Sequence, residues 1–191
     1  LNMFVKQHRV DILLLQETHV TDDSLMTEIA NEWGMRGYWS LGSYQSKGVA
    51  ILFKLSLNVT HNCHFRDSDG RLVVVNMKMG DENFRLINIY APNKARERYN
   101  FFKAVEDRLH APGIRVLVAG DFNCVEDASL DRVTTPGNRT VFYDIKLLTE
   151  WSRTYALEDV FRRLHPQLRV MTWRAGNVAA RLDRFYMHAD T

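Results

Sequence analysis

Residues 117–123 read Leu-Val-Ala-Gly-Asp-Phe-Asn, preceded by Ile114-Arg115-Val116 and followed by the polar stretch from Cys124 to Arg132. An apolar run that closes on Gly120 and then offers Asp121 and Asn123 reads as a strand delivering a carboxylate and an amide to one side. Phe122, between them, is turned the other way. Asp, Asn and Gly are also the commonest turn formers, so these seven residues taken alone fit an ordinary β-turn. The other strand ends of the chain decide between the two.

Asp11-Ile-Leu-Leu-Leu-Gln-Glu-Thr18 is a continuous apolar run with polar residues only at its ends, the pattern of a strand covered on both faces. Ahead of it, Leu1 to Ile12 reads as the tail of an amphipathic helix that runs into the strand. Residues 21–33 open with capping residues and acids and then turn helical. Residues 48–55 form another buried strand. Residues 71–79 and 84–90 make a hairpin about a Gly-Asp turn, and Ala91-Pro92-Asn93 stops its second strand. A charged helix over 95–109 carries Phe101, Phe102, Val105 and Leu109 on its inner face. A further helix carries Ile145, Leu148, Trp151 and Tyr155. Residues 171–174 and 181–188 close the chain as a predicted hairpin. Hairpins, interspersed helices and strands apolar on both faces predict an α/β fold, a four-layer sandwich of two packed mixed β-sheets with outer helices. A Rossmann-like parallel sheet fits less well, because no G-x-G-x-x-G follows a strand.

Composition sets the bounds. Hydrophobic content of 46% and charged content of 25% are globular values, and 191 residues fit one domain over 1–191. No apolar run approaches a membrane span, so no membrane partner is expected. Cys63 and Cys124 are too few for a disulfide framework and favour a reducing compartment. A net charge of +2 makes any basic surface local.

Four strand ends set polar groups directly after apolar runs: Gln16-Glu17-Thr18, Asn88 to Asn93, Gly120 to Asn123, and Asp183. Each has a plain alternative. Glu17 fits a helix N-terminal charge, Tyr90 a core aromatic, and Asp183 an ion-pair partner for Arg181 or Arg184. Four together are harder to set aside, because carboxylates at buried edges are costly unless paired or metal-bound.

Gln16-Glu-Thr-His19, Asn88-Ile-Tyr-Ala-Pro-Asn93, Gly120-Asp-Phe-Asn123 and Arg181-Leu-Asp-Arg184, in this order, resemble the endonuclease/exonuclease/phosphatase superfamily. Tyr90-Ala-Pro-Asn with Gly120-Asp-Phe-Asn-Cys and the following Leu130-Asp-Arg132 resemble, within it, the apurinic/apyrimidinic-like endonuclease domain of vertebrate non-LTR (long interspersed element) retrotransposons. The resemblance implies a metal-dependent phosphodiester hydrolase that nicks double-stranded DNA and leaves a 3′-hydroxyl for target-primed reverse transcription. It implies Glu17 as the ligand of Mg²⁺, with Mn²⁺ as an alternative. Asp121 becomes the base for the attacking water, and Asn123, Tyr90 and Asn93 become donors to the phosphoryl oxygens. Asp183 becomes the carboxylate that orients a histidine. Trp173 matches an aromatic that lines the nucleotide pocket, or is core. Arg132 matches a residue that reaches the DNA, or is a solvated arginine. Lys94, Arg96 and Arg98 fit phosphate contacts at the rim, or an exposed helix start. Cys124 is not expected to be a nucleophile, and His188 reads as structural. Surface loops including 131–140 and 174–180 are expected to set target preference.

Two pieces of the family pattern are not found: the asparagine of its first strand, and its closing Ser-Asp-His. The expectation is therefore a partial domain with impaired activity, within a polypeptide that also carries a reverse transcriptase and binds element RNA. Action in the nucleus, with the cytoplasm in transit, follows. The competing functions are another superfamily phosphatase or phosphodiesterase, and a decayed, non-catalytic nucleic-acid-binding module.

Overall fold

The computed structural model describes residues 2–133 and 143–189. The chain divides into two compact units, Leu1–Tyr90 and Ala91–Thr191.

The first unit runs α1 (Asn2–Gln7), β1 (Ile12–Leu15), α2 (Asp23–Glu32), β2 (Met35–Ser40), β3 (Val49–Lys54), β4 (Thr60–Arg66), β5 (Leu72–Met79) and β6 (Glu82–Tyr90). Strands β1, β3 and β2 form an antiparallel sheet in that order, with Leu13 opposite Leu52 and Trp39 opposite Ala50. Ala50 and Leu52 pack against Val5 of α1 and Met26 and Ala30 of α2. Helix α2 starts on Asp22, whose Oδ1 accepts from the backbone N–H of Ser24 and Leu25 at 2.6 and 3.2 Å.

The opposite face of β3 meets a second antiparallel layer, β4-β5-β6. The Phe53 ring stacks on His61 at 4.1 Å, the Tyr38 hydroxyl donates to the His61 carbonyl, and the buried Asn88 amide donates to Ala50 O. This sheet-on-sheet packing is why β3 and the start of β5 lack polar alternation. Strand β1 departs from the expected two-sided burial. It is an edge of its sheet and all four of its residues are half-buried. Strands β2 and β4 add to the predicted set. The β5–β6 hairpin turns on Gly80-Asp81 as expected, with Gly80 at φ +60°.

The second unit runs α3 (Ala95–Glu106), β7 (Arg115–Asp121), α4 (Ala128–Asp131), β8 (Arg132–Val133), α5 (Tyr143–Tyr155), β9 (Leu157–Asp159), α6 (Val160–Leu164), β10 (Trp173–Ala175), β11 (Val178–Ala180) and β12 (Asp183–His188). Strands β7, β12 and β9 are antiparallel neighbours in that order. Helices α3 and α5 bring an aromatic core to them: Phe102 meets Trp151 edge-on at 5.4 Å and Phe122 at 6.1 Å, and Phe122 meets Tyr186 at 5.1 Å. The predicted closing hairpin is replaced. Residues 173–175 pair with 178–180 across the Gly176-Asn177 turn, while 183–188 joins a different sheet between β7 and β9. A Gly at φ +55° followed by Asn is a two-residue hairpin turn, and it outcompetes the longer connection. Residues 134–140 of the expected target-preference loop, and Asp190 and Thr191, lie outside the described residues.

Candidate functional site

In the first unit, Glu17 sits just past β1 with φ +52°, a left-handed conformation unusual for a residue with a Cβ and costing about 1–3 kcal/mol. Neighbouring backbone holds it there. Thr18 N donates to Gly48 O and His19 N to Lys47 O, both at 3.1 Å, and Gly48 N donates to Gly70 O at 2.9 Å. Only glycine fits at 48: φ is +94° and a Cβ would lie 2.2 Å from Thr18 Oγ1.

The Tyr90 hydroxyl donates to Glu17 Oε1 at 2.5 Å. Glu17 is thus neither a helix charge nor solvated alone, and Tyr90, although 7% exposed, is more than a core aromatic. Arg71 completes the group, and nothing in the sequence singled it out except its place in Asp69-Gly70-Arg71 ahead of an apolar strand. Its guanidinium lies over the Tyr90 ring at 5.0 Å and its Nη1 donates to the Tyr90 carbonyl at 2.9 Å. Asn88 is structural: fully buried, it accepts from Gln16 Nε2 at 2.6 Å and donates to Leu15 O and Ala50 O.

Glu17 is exposed, and a carboxylate has more acceptor positions than one phenol uses. Among the described residues no three Asp, Glu, His or Cys side chains cluster as a metal cage. An exposed carboxylate oxygen is the kind of donor that a hard divalent cation takes. That suits Mg²⁺, which binds through one or two carboxylates and gives up water reluctantly.

In the second unit, Asp121 ends β7, Asp183 begins β12, and the two are direct partners in the antiparallel register. Opposed residues share one face with Cβ atoms about 4.5–5.5 Å apart, and like charges so placed repel. Asp183 is exposed and has not become an ion-pair partner of its neighbours. Arg181 instead pairs with Asp131 and Asp159, and Arg184 donates to Cys124 O and Tyr186 Oη. Thr172 Oγ1 sets the strand start by accepting from the N–H of Leu182 and Asp183 at 3.0 and 3.1 Å.

Asn123 reaches this place by a different route from strand alternation. Strand β7 stops at Asp121, and Asn123 has φ +50° with its N–H donating to Asp121 Oδ1 at 2.8 Å. Residues 117–123 are thus both strand and Asx-turn. Asn123 Nδ2 donates to Ala91 O at 2.8 Å, which leaves its second amide hydrogen for a ligand. Phe122 points into the core, fully buried.

Arg98 corrects the reading of the helix start. It is buried, and its Nη1 donates to the carbonyls of Pro92 and Asn93 at 3.0 and 2.7 Å, so it shapes the loop that carries the exposed Asn93. Lys94 pairs with Glu97 at 3.1 Å on the surface, and Arg96 is exposed.

Trp173 is 44% exposed on β10, which sets aside its core alternative. It stands opposite Ala180, which stands opposite Arg132 on its other side, so the three occupy one row across the small sheet. Cys124 is buried, and His188 ends β12 opposite Leu157. Behind the strand ends, burial pushes the Glu126 carboxyl up against the pull of Arg184. Burial opposes the Arg184 charge, yet Tyr186, Cys124 and Glu126 hold it on the guanidinium.

The Endonuclease/Exonuclease/phosphatase family model matches residues 1–191. The uncharacterised 149 kDa protein of transposon TX1 from Xenopus laevis is 29% identical over 190 residues, covering 96% of this chain. The chain spans only 14% of that protein's length. The catalytic domain of Xenopus laevis APE2 superposes with a TM-score of 0.75 at 20% identity, covering 99% of this chain and 77% of that one. The endonuclease domain of TRAS1, a telomere-specific non-LTR retrotransposon, superposes with a TM-score of 0.66 at 16% identity, covering 98% and 77%. Both likenesses show the fold expected from the sequence, the four-layer α/β sandwich.

Proposed function

Because the chain belongs to the endonuclease/exonuclease/phosphatase family, we propose that it is the DNA-nicking endonuclease part of a non-LTR retrotransposon polyprotein. The observation that carries this reading is the register of Asp121 against Asp183 at two adjoining strand ends. A carboxylate pair on one face sets a proton acceptor and an orienting carboxylate beside the same ligand, as phosphodiester hydrolysis requires. The transposon TX1 protein, a relative by sequence, supports the retrotransposon branch.

In this reading Asp121 accepts the proton of the attacking water. Its Oδ1 already receives the Asn123 N–H, which fixes the carboxylate plane. The remaining Asn123 amide hydrogen donates to a phosphoryl oxygen as charge builds there. Asn93, on the loop that Arg98 shapes, donates in the same way. Asp183 orients a histidine. Tyr90 steadies the Glu17 carboxylate through its hydroxyl, and Arg71 adds positive charge at the ring. Glu17 would hold Mg²⁺ or Mn²⁺, which when bound neutralises the scissile phosphate and the leaving oxygen. Trp173 and Arg132 contact the DNA away from the scissile bond. A reverse transcriptase in the same polypeptide and the element RNA are the partners, and the nucleus is the place of action.

The test is nicking of supercoiled plasmid with Mg²⁺ by the native polypeptide, against inositol phosphates and sphingomyelin as competing substrates. Nicking abolished by Asp121→Asn supports the reading. Turnover of the small phosphoesters alone moves the chain to another branch of the family. Salt-dependent DNA binding without cleavage makes it a binding module.

A further inference from the structure

Three buried charges of the second unit, Asp131, Asp159 and Arg181, form one network with Asp131 at its centre. Asp131 is 1% exposed and takes Arg181 bidentately, Nε to Oδ1 at 2.8 Å and Nη2 to Oδ2 at 2.9 Å. Its Oδ1 also accepts from Arg162 Nη2 at 2.5 Å, and its carbonyl accepts from Arg181 N at 2.9 Å. Arg181 Nη2 goes on to Asp159 Oδ2 at 2.7 Å, so two carboxylates neutralise two guanidiniums. Both guanidiniums lie over the Phe161 ring, at 5.2 and 5.6 Å.

Each arm of this network ends beside a residue of the proposed site. Arg181 lies two residues before Asp183 and Asp131 one residue before Arg132. Through Nη1, Arg162 donates to the carbonyls of His165, Pro166 and Leu168, at 3.0–3.1 Å, and so gathers the loop that leads to Thr172 and Trp173. Thr172 then accepts from the Asp183 N–H, closing the circuit. A bidentate arginine fixes direction as well as distance, which a surface ion pair does not.

We infer that Asp131 is a positioning residue: it holds Asp183 opposite Asp121 and sets Arg132 and the Thr172–Trp173 segment from the same carboxylate. It touches no substrate. The inference rests on the proposed role of Asp183, but its physical content is a coupling between segments that can be read without any nuclease activity.

Amide hydrogen exchange on the 191-residue chain tests it. In Asp131→Asn, the amides of Leu182 and Asp183 are expected to exchange at least tenfold faster, and the amide of Leu168 with them. The β5–β6 amides stay protected. Arg162→Gln, whose guanidinium is closer to the surface, removes the loop arm and one partner of Asp131 but leaves the bidentate Arg181 pair, keeps the chain folded, and should release the same amides to a smaller extent. Unchanged exchange at Leu182 and Asp183 in both variants would overturn the inference. So would a uniform loss of protection in both, since that is global instability. In parallel, the native polypeptide carrying Arg162→Gln should lose at least tenfold in kcat through Asp183, and its KM for DNA should rise through the Thr172–Trp173 segment. Local release of these amides with no wild-type nicking would spare the coupling and sink the endonuclease reading.

Discussion

The two groups of polar residues differ in what fixes each of them. In the first unit, Glu17 is closed by the Tyr90 hydroxyl, which is held by Arg71, and the strain of a left-handed Glu17 is borne by the backbone bonds around it. In the second, Asp121 and Asp183 face each other as like charges. Asp121 receives one backbone N–H, and Asp183 is fixed by its own backbone rather than its side chain. The first group is built by side-chain contact, and the second by strand register and an Asx-turn that set Asp121 and Asp183 on one face. In the proposed function, holding falls to Glu17 and Tyr90, and proton transfer to Asp121.

That contrast breaks most visibly at Asp121. Asp121→Asn keeps an acceptor for the Asn123 N–H yet removes the base, so nicking should fall by about 10²–10⁴-fold with DNA affinity unchanged. Single-turnover rates beside filter binding would show it. A fall in affinity instead would assign holding to the second unit.

Next in size is the support behind Asp183. Asp131→Ala leaves Arg181 and Arg162 without their shared partner and should cost about 3–5 kcal/mol in urea unfolding. Burial pushes the Asp131 carboxyl up, but the hydrogen bonds and charges of Arg181 and Arg162 outweigh it and hold it below the usual carboxylate range. A depressed folded value contributes stability above the ordinary aspartate range, and that stability is lost as pH falls through the folded value. Wild type should therefore lose stability on acidification more steeply than Asp131→Ala.

Tyr90→Phe should cost roughly 10²-fold in nicking, the scale of one lost donor, and should raise the Mg²⁺ concentration needed for half-maximal rate. An unchanged Mg²⁺ requirement would separate Tyr90 from the holding role. The smallest effect is a control remote from both groups. Asp22→Ala removes the α2 cap and should lower stability by about 1 kcal/mol without touching the nicking rate of folded protein.

The sequence shows some of this plainly and hides the rest for identifiable reasons. Strand β3 is legible because both of its faces are buried, and the β5–β6 hairpin because Gly80-Asp81 breaks two apolar runs. Strand β4 is not, since Thr60-His-Asn-Cys-His-Phe-Arg66 alternates in burial while His61 does the packing that a hydrophobe usually does. Gly37 obscures β2, although a Cβ there would meet Ile51 O at 1.9 Å, so the glycine marks close strand contact and not a turn. Glu17, Tyr90, Asp121, Asn123 and Asp183 were readable as polar residues at strand ends. Arg98 was misread because helix-start arginines usually face water. Asp131, Arg162 and Arg181 were invisible because their partners lie 22–50 residues apart, and no periodicity reports such pairing.

A double-mutant cycle on plasmid nicking tests most directly whether Glu17 and Asp121 serve one reaction. Groups that act as a unit are strongly non-additive. Glu17→Gln with Asp121→Asn is predicted to be no slower than the slower single variant. Losses that multiply in the double variant, or an Asp121→Asn protein that nicks at the wild-type rate, would contradict the account.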